Sequence, residues 1–169
     1  MGRGKSKATQ DKLLEENMKK VKYMLFHNEP DKEFRSFPGK IDGNEEQVYN
    51  NYPSDIMKEI SQEDIIRSIL KKQDTLAVLP TGGGKSYCFR GPSFCFEGMT
   101  LVITPLVALI QDQVQNFNNE YEKLFDRYQN EEEGIVGSPY YDGRLYRAIY
   151  PGMKNLSQGQ LFDEIAHPR

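Results

Sequence analysis

Three successive glycines followed by a lysine and a serine, in Pro80-Thr81-Gly82-Gly83-Gly84-Lys85-Ser86, form the segment of this chain best suited to chemistry. Glycine has no Cβ, so successive glycines let backbone N–H groups converge on one anion. A helix starting at Lys85 would add unpaired N–H donors and the positive end of its dipole. The Lys85 ammonium supplies a full charge for β- and γ-phosphate oxygens, and the Ser86 hydroxyl offers a ligand to Mg²⁺. The strict form of such a loop has a glycine six residues before the lysine, where this chain has Leu79. The plain alternative is a glycine-rich turn with a chance lysine, and the flanking sequence weighs against it.

A phosphate loop needs a strand before it and a helix after it. Thr75-Leu76-Ala77-Val78-Leu79 is a short apolar run that predicts a strand buried on both faces. Thr100-Leu101-Val102-Ile103-Thr104 predicts a second one, and the roughly twenty residues between them suffice for a right-handed helical crossover. Leu106, Leu109, Ile110 and Val114 then mark a helix. Ahead of the loop, Ser61-Gln62-Glu63-Asp64 reads as a capping box, with Ile65, Ile66, Ile69 and Leu70 predicting a helix over about 62–72. The order strand, phosphate loop, helix, strand, helix predicts an α/β fold with parallel strands.

The outer segments are plainer. Residues 1–8 are small and basic, and Gly4-Lys5-Ser6 mimics the end of a phosphate loop without a preceding strand. Leu14, Met18, Val21 and Leu25 predict an amphipathic helix over 9–27 with a solvated, Lys-rich face. Residues 28–53, with Pro30, Pro38, Gly39 and Gly43, predict a long loop or linker. Past Gln115 the pattern weakens to a helical stretch over 120–128, an acidic run, a loop over 134–143 and one short helix over 156–165.

Composition narrows the partners. Lys and Arg total 22 against 25 Asp and Glu, a net charge of -3, so no overall basic field steers nucleic acid. Any DNA contact must come from a local patch or from backbone groups. Cys88 and Cys95, seven apart, fit no metal or redox spacing and read as buried thiols. His27 and His167 stand alone and read as surface or packing residues. No run approaches the ~18 apolar residues of a membrane span, and the basic N-terminus lacks the apolar core of a secretory signal. No membrane partner and an intracellular location, cytoplasm or nucleus, are therefore expected.

Three segments together carry a family resemblance. Leu79-Pro80-Thr81-Gly82-Gly83-Gly84-Lys85-Ser86-Tyr87-Cys88-Phe89 resembles motif I of RecQ-like helicases, commonly PTGGGKSLCY. Thr104-Pro105-Leu106-Val107-Ala108-Leu109-Ile110-Gln111-Asp112-Gln113-Val114 resembles their motif Ia, and Gln62-Glu63-Asp64-Ile65-Ile66 their motif 0. The step of 23 residues from Gln62 to Lys85 suits the family. The resemblance covers about residues 54–116; Tyr150-Pro151-Gly152-Met153 is weakly similar to an insert before motif Ib.

The resemblance implies a superfamily 2 helicase with a RecA-like P-loop NTPase domain, here partial, that hydrolyses ATP with Mg²⁺ and unwinds DNA from 3′ to 5′. It assigns the adenine edge to Gln62 and the phosphates to Pro80, Thr81, Gly82, Gly83, Gly84, Lys85 and Ser86. Lys85 is the catalytic cation and Ser86 the metal ligand. Thr104, Pro105, Gln111 and Gln113 would lie along a single-stranded or partly duplex DNA. The implied division is an N-terminal tail, helix and linker over 1–53 and an incomplete helicase ATP-binding domain over 54–169.

There are departures. Lys58-Glu59-Ile60-Ser61-Gln62 stands where the family has FRPGQ, so the Phe and Arg beside the adenine are missing, with Tyr52 a conceivable substitute. Arg90 replaces a usual Gln. Phe162-Asp163-Glu164-Ile165-Ala166-His167 imitates a broken DEAH box, but polar Ser157 to Gln160 precede it where a buried strand is required. The expectation is a chain stopping short of the DEAH box and the second lobe, which binds nucleotide without helicase-like turnover and whose candidate partner is the missing remainder of the helicase. The rival readings are a non-catalytic nucleotide- or partner-binding module and a small kinase. The kinase would need acceptor-site residues and a basic lid that the sequence lacks.

Overall fold

The computed structural model describes residues 6–38, 41–42, 59–104, 107–150 and 153. The chain divides into two compact units, Met1–Phe96 and Glu97–Arg169.

In the first unit, helix α1 spans Lys7–Phe26, and its first turn is capped by the Ser6 hydroxyl, which accepts from the Thr9 N–H at 3.3 Å. Its buried residues Met18, Val21, Leu25 and Phe26 follow helical spacing, while Lys19 and Lys22 pair with Glu16 and Glu33 on the outside. Helix α2, Gln62–Leu70, starts in a complete capping box: Ser61 Oγ accepts from Asp64 N–H at 3.0 Å, and Asp64 Oδ2 accepts from Ser61 N–H at 3.2 Å. Helix α3, Lys85–Ser93, follows the glycine loop. Gly91 lets α1 and α3 approach closely, because a Cβ there would lie 2.7 Å from Val21 Cγ1. The Arg67 guanidinium joins Glu15 of α1 to Glu63 of its own helix, and this pairing holds the Glu15 carboxyl below its ordinary range.

Strand β1, Ser36–Pro38, pairs antiparallel with β3, Glu59–Ser61, placing Phe37 opposite Ile60. Strand β2, Ile41–Asp42, pairs antiparallel with β4, Leu76–Ala77. Phe37, Ile65, Leu79 and Cys88 form a buried cluster with Ile69 and Ala77 against it.

The second unit is built on α4, Val107–Gln129. The stretch over 120–128 continues the helix that begins at motif Ia. Tyr121 and Leu124 are buried on its inner face together with Ile135 and Tyr141 of the segment that folds back. Asn118 clasps that segment, donating to the Ala148 carbonyl at 3.0 Å and accepting from its N–H at 2.7 Å. Tyr121 packs with Phe117, and Tyr128 packs edge-on against Tyr141.

Two expectations are corrected. The parallel strands over 75–79 and 100–104 are not found among the described residues, where the strand pairs are antiparallel and only Leu76–Ala77 of the first run is extended into a ladder. Leu76 is 65% and Ile103 87% exposed. An apolar run becomes a doubly buried strand only when neighbours pair its edges and cover both faces, and the described residues supply no such neighbours. Second, Ser36–Pro38, read as linker, forms a strand. The expected helix over 156–165, the Asp163-Glu164 pair, His167 and Tyr52 lie outside the described residues.

Candidate functional site: the glycine loop and its brace

The loop is positioned from both ends. On the upstream side Leu79, which takes the place of the strict motif's glycine, is buried in the first unit's core and anchors the chain as it leaves β4. Downstream, Gly84 caps α3 at φ +67°, and Gly82 stands at φ +75°. Both values lie in the left-handed region that other residues adopt at a cost. At Gly83 a Cβ would sit 2.9 Å from the Pro80 carbonyl oxygen, and at Gly84 it would run into Gln62 Nε2.

Gln62 is the centre of this arrangement. The capping box puts it at the first position of α2, and it is buried. Its Nε2 donates to the Gly83 carbonyl at 2.9 Å and to the Gly84 carbonyl at 3.4 Å. Its Oε1 accepts from Arg35 N–H at 3.0 Å, and its own N–H donates to the Arg35 carbonyl at 2.9 Å. A planar trans peptide opposes its N–H to its C=O. With the Gly83 and Gly84 carbonyls held on the Gln62 side, the N–H groups of Gly84 and Lys85 turn the opposite way. On the loop itself, the Lys85 ammonium and Gly83 N–H both bond the Pro80 carbonyl oxygen, at 2.9 and 3.0 Å. A cation and a loop amide thus already converge on one oxygen, the arrangement a phosphate oxygen requires.

The remaining expected residues distribute as follows. Thr81 lies exposed in the turn, and Ser86 is half-buried in the first turn of α3, next to Lys85. Thr104 is half-exposed outside regular structure, and Pro105 lies outside the described residues. Gln111 and Gln113 are in α4, exposed and half-buried respectively. Two residues apart on a helix do not share a face, so these two side chains diverge. Pro80, Gly82, Gly83, Gly84, Lys85 and Gln62 are therefore brought together in the first unit, and Thr104, Gln111 and Gln113 belong to the second. Among the described residues no group of three or more His, Cys, Asp or Glu side chains could hold a metal ion. Cys88 and Cys95 are free thiols pushed up to about 11 by burial, which keeps them protonated and inert at neutral pH.

Sequence reasoning missed Arg35 and the aromatics around it. The Arg35 guanidinium donates to the Gly82 carbonyl at 3.1 Å and lies over the Phe37 ring, 5.1 Å from its centre. Phe34 packs on Phe26, and Phe26 packs edge-on against Tyr87 of α3. The signal was present as Phe34-Arg35-Ser36-Phe37-Pro38, an aromatic and basic segment set too far from Gln62 in sequence to be read as its neighbour.

A glycine loop opening a helix, with a lysine on its own carbonyl and a buried glutamine bracing its back, has the form of a phosphate-binding loop. Residues 59–140 match the model of the DEAD/DEAH box helicase family, which has the RecA-like P-loop fold. The chain is 52% identical over 62 residues to the probable ATP-dependent DNA helicase RecS of Bacillus subtilis, covering 37% of this chain and 12% of that one. It is 52% identical over 59 residues to the ATP-dependent DNA helicase RecQ of Synechocystis, covering 35% and 12%. To RecQ of Haemophilus influenzae it is 33% identical over 111 residues, covering 64% and 18%. No solved structure matches. The matched stretch is similar to a segment of RecQ-like DEAD/DEAH box helicases, and the chain spans less than a fifth of the length of these three relatives. No described helix is long and apolar enough to cross a membrane.

Proposed function

We propose that this chain is the ATP-binding and DNA-binding portion of a RecQ-like ATP-dependent DNA helicase. The carrying observation is the convergence of Lys85 Nζ and Gly83 N–H on a single oxygen, with the Gly83 and Gly84 carbonyls held away by Gln62. The names of the relatives supply the nucleotide and the polymer.

In this reading Lys85 leaves the Pro80 carbonyl for the β- and γ-phosphates, and the amides of Gly84 and Lys85 bind phosphate oxygens at the positive end of α3. Ser86 gives its hydroxyl to Mg²⁺, which neutralises phosphate charge when bound. Pro80 and Thr81 shape the turn. Gln62 contributes first by bracing the loop. Contact with an adenine edge requires its amide to exchange one of its present bonds, so the preference for adenine over guanine is small. Thr104, Pro105, Gln111 and Gln113 are proposed DNA contacts, with Gln111 on the exposed side of α4. Residues 54–169 are proposed as the incomplete helicase domain.

A fluorescent ADP analogue displaced by Mg-ATP tests the nucleotide half. Labelled single-stranded DNA titrated at low and high salt tests the other, with weak binding that fades as salt rises. No displaceable analogue binding contradicts the first, and salt-independent or absent DNA binding contradicts the second.

A further inference from the structure

The nucleotide reading leaves Arg35 without a role, although it makes two contacts to the loop and its brace. Its guanidinium bonds the Gly82 carbonyl, and its own N–H and C=O close a two-bond ring with the side chain and backbone of Gln62. The Phe37 ring beneath the guanidinium is itself buried in the core cluster, so the head group is seated on a fixed surface. Through Arg35 and Gln62, three consecutive carbonyls, those of Gly82, Gly83 and Gly84, are held by donors.

From this geometry we infer that Arg35 is a positioning residue for phosphate binding, acting through the loop and not on the ligand. The inference rests on the phosphate-loop reading of the same site. A run of three glycines samples more backbone conformations than any other tripeptide, and most of them scatter the amides. Holding Gly82 O fixes the plane of the Gly82–Gly83 peptide and directs Gly83 N–H to the point where Lys85 also arrives. Holding Gln62 Oε1 orients the amide that fixes the next two peptides. Arg35, the residue just before strand β1, makes both contacts, because the pairing of β1 with β3 sets it opposite Gln62. A segment that precedes the loop by 47 residues thereby presets the loop before any ligand arrives, which lowers the ordering cost of binding.

The test compares the full chain with Arg35→Ala, Arg35→Lys and Lys85→Ala by calorimetry, using Mg-ADP and, separately, Mg-pyrophosphate. Amide NMR spectra of the ligand-free proteins and their thermal midpoints complete it. Arg35→Ala is expected to weaken Mg-ADP and Mg-pyrophosphate equally, by about tenfold for one charged hydrogen bond, with the thermal midpoint little changed. The Gly83 and Gly84 amide signals should shift without ligand, and Arg35→Lys should restore most of the affinity. A loss confined to Mg-ADP would place Arg35 on the base and overturn the inference. Unmoved glycine signals would mean direct phosphate contact and would also overturn it. So would unchanged affinities, or a collapsed midpoint that Arg35→Lys does not repair. If the parent binds neither ligand, or Lys85→Ala binds both as the parent does, the phosphate-loop reading itself has failed.

Discussion

In the first unit, the residues from Leu79 to Gly84 have their apolar member in the core and the three glycine carbonyls bonded to Gln62 or Arg35. In the second, Leu101, Val102 and Ile103 carry an equally strong apolar signal and remain exposed. The difference lies in what each segment needs. A glycine loop is completed by one or two side chains that reach its carbonyls. A strand is completed only by other strands along its edges and by layers over its faces. The same sequence clarity therefore gives a braced loop in one place and an unburied run in the other.

The largest effects should separate the two regions by stability. Ile66 is fully buried between α2, α1 and α3, and Ile66→Ala should lower unfolding free energy by ~2–5 kcal/mol in urea titrations. Ile103→Ser should change it by no more than ~0.5 kcal/mol. Similar losses for both would break the comparison.

Gln62→Ala should come next, at ~1–3 kcal/mol, because it leaves loop carbonyls and the Arg35 N–H without their buried partner. The same variant should weaken Mg-ATP and Mg-GTP almost alike. A loss of ATP binding alone would show that Gln62 serves the base and not the loop.

A smaller effect concerns the thiols of the first unit. Burial raises Cys88 and Cys95 to about 11 from an ordinary 9.0. Between those values the unfolded chain has released protons that the folded chain keeps, so stability should fall as pH climbs from 9 to 11 and be indifferent to these groups below 9. Replacing both by Ala should remove that portion of the slope in a pH series of urea midpoints. An unaltered slope would show that the thiols are not buried as described.

The helices and the loop were legible because their signals are local. The capping box at Ser61 and Asp64, the apolar spacing of α1 and the glycines before Lys85 each act within a turn or two. The glutamine's place was legible from its distance to Lys85, but its work was not, since that depends on Arg35 from a segment rich in Pro and Gly. Strand β1 could not be foreseen for the same reason: Phe37 pairs with Ile60, 23 residues further along the chain. The strand expectation over 100–104 failed where apolar content was read as burial without neighbours to provide it. That motif Ia and the 120–128 stretch form one helix was hidden by the polar residues Asn116 and Asn118 to Glu120, one of which, Asn118, proves to be a buried clasp.

The central claim is that Lys85 and the braced glycine loop bind the phosphates of a nucleotide. Calorimetric titration of the chain with Mg-ATP, beside Lys85→Ala whose melting is unchanged, tests it most directly. Binding should be measurable in the parent and fall at least about tenfold, to the limit of detection, in the variant, as expected for loss of a charged contact to phosphate. Equal affinity in parent and variant would contradict the account.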